Sequence, residues 1–193
     1  MPGRLDDAVL KQLFLEARTL RAWQPRDVPD AVLKELVDLC KMGPTASNSL
    51  PARFVFVKSK AAKERLKPHL SAGNVDKTMA APATVIVAHD TKFFEHPPKG
   101  QDALGGFADK PERAIEAALR NSSLQGGYLI LAARMLGLDC GPMSGFDNNG
   151  VDREFFAGTT FKSNFLCNLG FGDPTGLRPR APRFEFDEIA KIV

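Results

Sequence analysis

Apolar residues recur at helical spacing in three stretches of the chain. Residues 5–16 carry Leu5, Val9, Leu10, Leu13 and Phe14, continued by Ala17, on one broad face. Residues 30–42 carry Val32, Leu33, Leu36, Val37 and Cys40, with Asp30 placed to cap the start and Gly43-Pro44 to stop the end. Pro111 suits the first turn of a third helix running to about Leu136, which Gly137 can close. Strand patterns fall between them. Residues 53–58 alternate around Phe54, Val55, Phe56 and Val57. Residues 84–88 are a continuous β-branched run, and residues 164–171 form the last strand. Ser59 is placed to cap a short helix ending before Pro68, and Asp187 to cap a C-terminal one. Residues 91–110 hold Pro97, Pro98, Gly100, Gly105 and Gly106 and predict an irregular, mobile excursion. The mixture predicts an α+β fold in a single domain spanning residues 1–193, with no repeat and no interdomain linker.

The third helix has an unusual middle. Residues 121–133 bear no charge and contain Gly126-Gly127. Each glycine costs about 1 kcal/mol against alanine in a helix interior, so close approach of another backbone is expected there. Apolar residues occur almost all round the segment, which suits the core of one chain or the centre of a dimer.

Composition narrows the function classes. The chain has 193 residues, is 44% hydrophobic and carries a net charge of +3 with acids scattered among the bases, which excludes the basic stripe of a nucleic-acid binder. Cys40, Cys140 and Cys167 are odd in number and far apart, so neither a disulfide framework nor a zinc site is expected. No apolar run reaches the length of a membrane span. The opening residues 1–7 carry Asp6 and Asp7 rather than a leader's apolar segment, which points to the cytoplasm.

The chemistry concentrates in residues 43–51, Gly-Pro-Thr-Ala-Ser-Asn-Ser-Leu-Pro, between a helix and a strand. Small hydroxyl and amide residues with exposed backbone N–H groups can cradle a polar, planar or anionic ligand. Further motifs follow in order: Arg18-Thr19-Leu20-Arg21-Ala22-Trp23, Asn74-Val75-Asp76-Lys77, Arg120-Asn121-Ser122-Ser123, Gly141-Pro142-Met143-Ser144-Gly145-Phe146 and Arg178-Pro179-Arg180. Together with Pro51-Ala52-Arg53 and Phe155-Phe156-Ala157-Gly158, they resemble the flavin-dependent nitroreductase family over essentially the whole chain. Within that family they are most similar to the branch of malonic semialdehyde reductases.

The resemblance implies a nitroreductase-like fold, with a central, mostly antiparallel sheet flanked by helices and an interlocked homodimer holding FMN between its chains. It also implies NAD(P)H as co-substrate and a role for each matched residue. Arg18, Thr19, Arg21, Arg178 and Arg180 would hold the phosphate. Ala17 stands where the family has an arginine, and Arg18 would substitute for it. Pro44, Thr45, Ala46 and Asn48 would supply the loop. Asn74 and Lys77 would face the pyrimidine edge, where a lysine stabilises negative charge on a reduced ring. Met143, Ser144 and Gly145 would lay backbone against the ring, with Gly145 leaving its N–H accessible.

Rival motifs fail. Gly170-Phe171-Gly172 is followed by Asp173-Pro174 where a dinucleotide-binding helix would start, and Ser144 lacks the hydrolase elbow around it. His69, His89 and His96 have no ligand spacing, no metal is expected, and His89 reads as a satisfied structural histidine. Three functions remain open: reduction of malonic semialdehyde to 3-hydroxypropionate by ping-pong hydride transfer, broad nitroaromatic or quinone reduction, and non-catalytic flavin binding. Ala52, where the family often has tryptophan, favours a small aliphatic substrate. No residue is identified as the catalytic proton donor.

Overall fold

A computed structural model describes residues 3–193; Met1 and Pro2, the start of the segment read above as leader-free, lie outside the described residues. The elements run α1 (Asp7–Leu10), α2 (Asp30–Cys40), β1 (Ala52–Val57), α3 (Lys60–Leu66), α4 (Ala72–Ala80), β2 (Ala83–Asp90), α5 (Pro111–Met135), β3 (Asp139–Met143), α6 (Asn148–Phe155), β4 (Phe161–Gly170) and α7 (Phe186–Ile189). The four strands form one sheet in the order β1-β2-β4-β3, and every neighbouring pair is antiparallel. The fold is the α+β, helix-flanked antiparallel sheet expected from the sequence.

Both faces of the sheet are covered, which is why β2 is buried along its whole length. On one face Val85, Val87, Cys167 and Leu169 pack against Leu33, Leu36 and Cys40 of α2 and Leu129, Ala132 and Ala133 of α5. On the other, Ile86, Ala88 and Leu166 pack against Leu66 of α3 and Val151 of α6. All three cysteines are buried as small apolar residues. No helix among the described residues is long and apolar enough to cross a membrane.

Several local expectations are corrected. Asp30 does not cap α2; Pro29 holds the cap position, and the Asp30 carboxylate accepts from Lys58 Nζ at 2.7 Å. At the C-terminus Glu185, not Asp187, caps α7 through a reciprocal box with Glu188. The first helix is one α turn capped by Asp6 that widens into a π turn over Lys11–Leu15; it buries Leu13 and leaves Phe14 and Leu15 exposed. Gly126 makes room for the Phe165 ring rather than for a backbone, since a Cβ there would lie 2.5 Å from Phe165 Cζ. A Cβ on Gly127 would meet nothing within 4 Å among the described residues. The excursion at 91–110 is irregular, as expected, and is anchored by the buried Phe93, whose ring lies 5.7 Å from Phe94 and 5.1 Å from Phe107, centroid to centroid.

Two features position the residues of interest. Lys63 is buried and donates from Nζ to the carbonyls of Thr78, at 2.9 Å, and Ala81, satisfying the C-terminal end of α4. Burial pushes its ammonium down to about 8. The second feature is the edge of β3. Leu20 N–H donates to the Cys140 carbonyl at 3.0 Å, and Thr19 bridges Cys140 in parallel, so residues 19–20 extend the sheet beyond its last strand. A Cβ on Gly141 would sit 2.8 Å from the Leu20 carbonyl oxygen, a fixed backbone atom. Gly141→Ala is therefore expected to lower stability by about 1–3 kcal/mol, the scale of an overpacked core site, in denaturant unfolding. Unchanged stability would mean that residues 19–20 do not sit against this edge.

Candidate functional site

The segment laid along β3 brings the two ends of the chain together. Between residues 14–21 and 176–183 lies a cleft of about 760 Å³ lined by six arginines, Arg18, Arg21, Arg134, Arg178, Arg180 and Arg183, and by Thr19. No carboxylate is among the described residues that line it. Four of these cations are spent on backbone, Arg183 Nη1 donating to the carbonyls of Ala181, at 2.9 Å, and Pro182, at 3.1 Å. Arg18 donates to the Arg178 carbonyl, Arg134 donates to Leu13 O at 2.6 Å, and Arg180 Nη2 donates to Leu15 O at 2.8 Å and Ala17 O at 2.9 Å. Arg18, suggested above as a substitute for an arginine at Ala17, lines the cleft while one of its nitrogens is held by the Arg178 carbonyl. Arg18 and Arg180 clamp the ends, and Ala17 contributes a carbonyl to that clamp. Arg21 and Arg178 donate from their side chains to no described residue, which leaves their guanidinium forks for an anion.

Arg21 leads to the next group. Lys77, on α4, is held below the usual lysine value of 10.5, first by burial and then by the positive charge of Arg21. Its carbonyl accepts from Trp23 Nε1 at 3.0 Å and Asn168 Nδ2 at 3.2 Å, so the indole braces the lysine's backbone. One turn earlier on α4, Asn74 Nδ2 donates to the Gly145 carbonyl at 2.7 Å, and Ser71 N–H donates to the same oxygen at 3.1 Å. A Cβ on Gly145 would fall 2.7 Å from Asn74 Nδ2. A side chain at 145 would therefore displace the Asn74 amide from its bond to the Gly145 carbonyl. The Gly145 N–H donates to no described backbone group. Met143 turns its sulfur inward to accept from Thr78 Oγ1 at 3.5 Å, so only its backbone can serve the site. Ser144 is exposed beside it.

Pro44, Thr45, Ala46 and Asn48 form a separate group, tied to α5. Tyr128 OH donates to Pro44 O at 3.0 Å, and Ala46 N–H donates to Asn121 Oδ1 at 2.8 Å. Thr45 Oγ1 accepts from Leu50 N–H at 3.1 Å. Ser47, Asn48 and Leu50 have φ of 52°, 50° and 39°, a left-handed conformation that costs side-chain-bearing residues energy. None of these loop residues lines the arginine cleft. The predicted set thus divides within one chain: Arg18 to Arg21, Asn74, Lys77, residues 143–145 and Arg178 to Arg180 on one side, the loop on the other.

Sequence reasoning missed the supports. Asn121, Gln125 and Tyr128 are polar residues of α5 that hold the loop and the start of β1, Gln125 Oε1 accepting from Ala52 N–H at 2.9 Å. Their signal was present as uncharged polar residues on an otherwise apolar helix. His89 is corrected: it is buried with burial lowering its pKa, but its Nδ1 has no partner among the described residues. No cluster able to hold a metal occurs among the described residues.

Known proteins match this arrangement along its length. A protein of Burkholderia lata, provisionally named an NADH dehydrogenase/NAD(P)H nitroreductase, is 62% identical over 191 residues, covering 97% of this chain and 98% of its own. A Stenotrophomonas maltophilia protein with the same provisional name is 60% identical over 195 residues, covering all of both chains. Among solved structures, a nitroreductase-type protein of Bacillus subtilis superposes with a TM-score of 0.86 at 22% identity, covering 97% of this chain and 100% of its own. One from Exiguobacterium sibiricum, solved in complex with FMN, superposes with a TM-score of 0.82 at 17% identity, covering 100% and 99%. The profile of the Nitroreductase family matches residues 15–172, and with relatives this similar over their full length the chain belongs to the nitroreductase family.

Proposed function

We propose that the protein is an FMN-dependent NAD(P)H oxidoreductase whose acceptor is a small carbonyl acid, with reduction of malonic semialdehyde to 3-hydroxypropionate as the leading reaction. The observation that carries the reading is the continuous donor set from Arg178 and Arg21 through Lys77 and Asn74 to Gly145. It fits FMN group by group. The unspent forks of Arg21 and Arg178 suit a phosphate, the Lys77 ammonium and the Asn74 amide suit a pyrimidine edge, and the Gly145 N–H, which donates to no described backbone group, suits an acceptor on the ring. When bound, FMN accepts hydride from NAD(P)H and passes it to the acceptor. The chain's own residues bind and orient: two neighbouring cations, Arg21 and Lys77, raise the local positive potential where an anion would sit.

The loop at 43–51 completes the site from a second copy. Ile115, Leu119 and Leu124 are exposed on α5, and a shallow apolar depression runs from Phe14 past Leu124 and Gly127 to Leu131. A second copy covering this face would set the loop of one chain against the donor set of the other. Leu124→Lys should shift the protein toward monomer in sedimentation and lower FMN occupancy with it. A wild-type monomer saturated with FMN would defeat this assignment.

The charge on Lys77 gives a pH test. Its pKa is lowered, so the ammonium is present at low pH and lost as pH rises, earlier than for an ordinary lysine. FMN affinity should fall on the alkaline side of its pH profile. Lys77→Arg should abolish that limb, because guanidinium keeps its charge. Arg21→Gln should move the limb to higher pH by removing the neighbouring cation, and an unmoved limb would show that the two cations are not coupled.

The acceptor is decided by competition. The provisional names of the relatives favour a nitroaromatic acceptor, whereas the motifs of the semialdehyde branch favour the carbonyl acid. Ala52 weighs less than the sequence suggested, because it is buried under Gln125 rather than set on an open surface. With one nicotinamide donor and limiting acceptor, kcat/KM for malonic semialdehyde should exceed that for a nitroaromatic. A nitroaromatic preferred by about tenfold, roughly 1.4 kcal/mol of transition-state binding, replaces this reading with that of a broad reductase.

A further inference from the structure

Gln101 lies in the excursion between β2 and α5 and reaches the ligand loop. Its Nε2 donates to the Ser47 carbonyl at 3.2 Å, and its Oε1 accepts from Asn48 Nδ2 at 2.7 Å. These two bonds fix the direction of both amides. A backbone carbonyl can only accept, so the nitrogen of Gln101 has to face Ser47 and its oxygen has to face Asn48. Asn48 must then turn its nitrogen toward Gln101 and its oxygen away. Reversing either amide sets oxygen against oxygen. Asn48 Oδ1 accepts from no described residue.

The backbone agrees with this role. Ser47 and Asn48, the two residues Gln101 grips, are both left-handed, with φ of 52° and 50°. Such conformations persist only where surrounding contacts over-determine them. Gln101 is itself firmly mounted. Its N–H donates to Pro98 O at 3.0 Å, Leu104 N–H donates to Phe94 O at 3.3 Å, and the buried Phe93 packs edge-on against Phe94 and Phe107. Asp90, also buried, holds the start of the excursion by accepting from Lys92 N–H at 2.9 Å and from Thr160 Oγ1 at 2.5 Å.

We propose that Gln101 is a positioning residue of the site: it sets Asn48 with Oδ1 outward, as an acceptor for a hydrogen-bond donor on the bound flavin. The proposal rests on the reading of residues 43–51 as the flavin loop. A flavin has two kinds of donor, the ring imide N–H and the ribityl hydroxyls, and both are complementary to an outward carbonyl oxygen.

The test is FMN titration of the apoprotein, followed by flavin fluorescence, with thermal unfolding measured in parallel. Gln101→Leu should weaken FMN by about tenfold, the scale of one hydrogen bond, while Tm falls no further than it does in Asn48→Ala. Asn48→Ala should weaken it similarly, and the double variant should lose no more than Asn48→Ala alone. Gln101→Glu keeps an acceptor for Asn48 Nδ2 but loses the donor to the Ser47 carbonyl, so it should recover part of the affinity that Gln101→Leu loses. Losses that multiply in the double variant, or Glu and Leu variants that behave alike, overturn the proposal. With 3-methyl-FMN, which lacks the imide N–H, an Asn48→Ala effect that vanishes assigns the donor to the ring. An effect that persists assigns it to the ribityl chain. If wild-type apoprotein binds no FMN, the flavin reading itself falls and this proposal with it.

Discussion

The site depends on one close approach, that of residues 19–21 to the edge of β3. Leu20 N–H reaches the Cys140 carbonyl, and Gly141 admits the Leu20 carbonyl where a Cβ would lie 2.8 Å away. β3 can accept this neighbour because it is an edge strand, and Pro142 is tolerated in it for the same reason. The added segment carries Thr19 and Arg21 to the end of β3, where the chain turns through Ser144 and Gly145. Gln24 N–H and the Ala22 carbonyl then bond to Phe171 O and Asp173 N–H, at 2.8 and 2.9 Å, which draws in the last stretch of chain and its arginines. One backbone contact thus gathers donors that are more than a hundred residues apart in sequence.

Electrostatics explains why so many cations are tolerated together. Arg18, Arg134 and Arg180 each donate to a backbone carbonyl elsewhere in the chain, so they act as clamps. Arg21 and Lys77 have no such outlet, and the depressed lysine pKa records their mutual repulsion as well as burial. An anion placed between them relieves that repulsion. That is the arrangement the proposed reading expects where a phosphate and an electron-rich ring are to be held at once. The same economy appears at Lys63, whose buried ammonium is spent on the end of α4 and so fixes the helix that carries Asn74 and Lys77.

Much of the fold was legible because its elements are strongly patterned. β2 is a β-branched run and is buried throughout. α5 opens at Pro111 and closes at Gly137, whose φ is 76°, and Ser59 caps α3 by accepting from Ala62 N–H at 3.1 Å. β3 was not legible, because Gly141-Pro142 reads as a turn; only its edge position makes a strand of it. α6, with Asn148, Asn149 and Gly150, has little helical propensity and is held by Val151 in the core and by Asp152, whose carboxylate accepts from Ser163 N–H at 2.7 Å. Of the site, the residue types were legible, and the division of labour was not. Whether an arginine binds a ligand or a carbonyl depends on which backbone ends near it, and sequence spacing carries no such information at Arg18 or Arg180.

The loop at 43–51 shows how the same polar residues can be either a turn or a site. Left alone, three left-handed residues without glycine would cost of order 1–3 kcal/mol each and would relax. They are held because α5 grips the loop from below through Asn121 and Tyr128, and because the excursion grips it from the side through Gln101. Those grips satisfy Pro44 O, Ala46 N–H and the Ser47 carbonyl, and leave the Asn48 oxygen unspent. The cost of the conformation is therefore met by the scaffold before any ligand arrives, so ordering the loop need not be charged against binding. That preorganisation accounts for the long helix with its polar spots: α5 serves as core on one face, as exposed apolar surface on another, and as the mount of the 43–51 loop on a third.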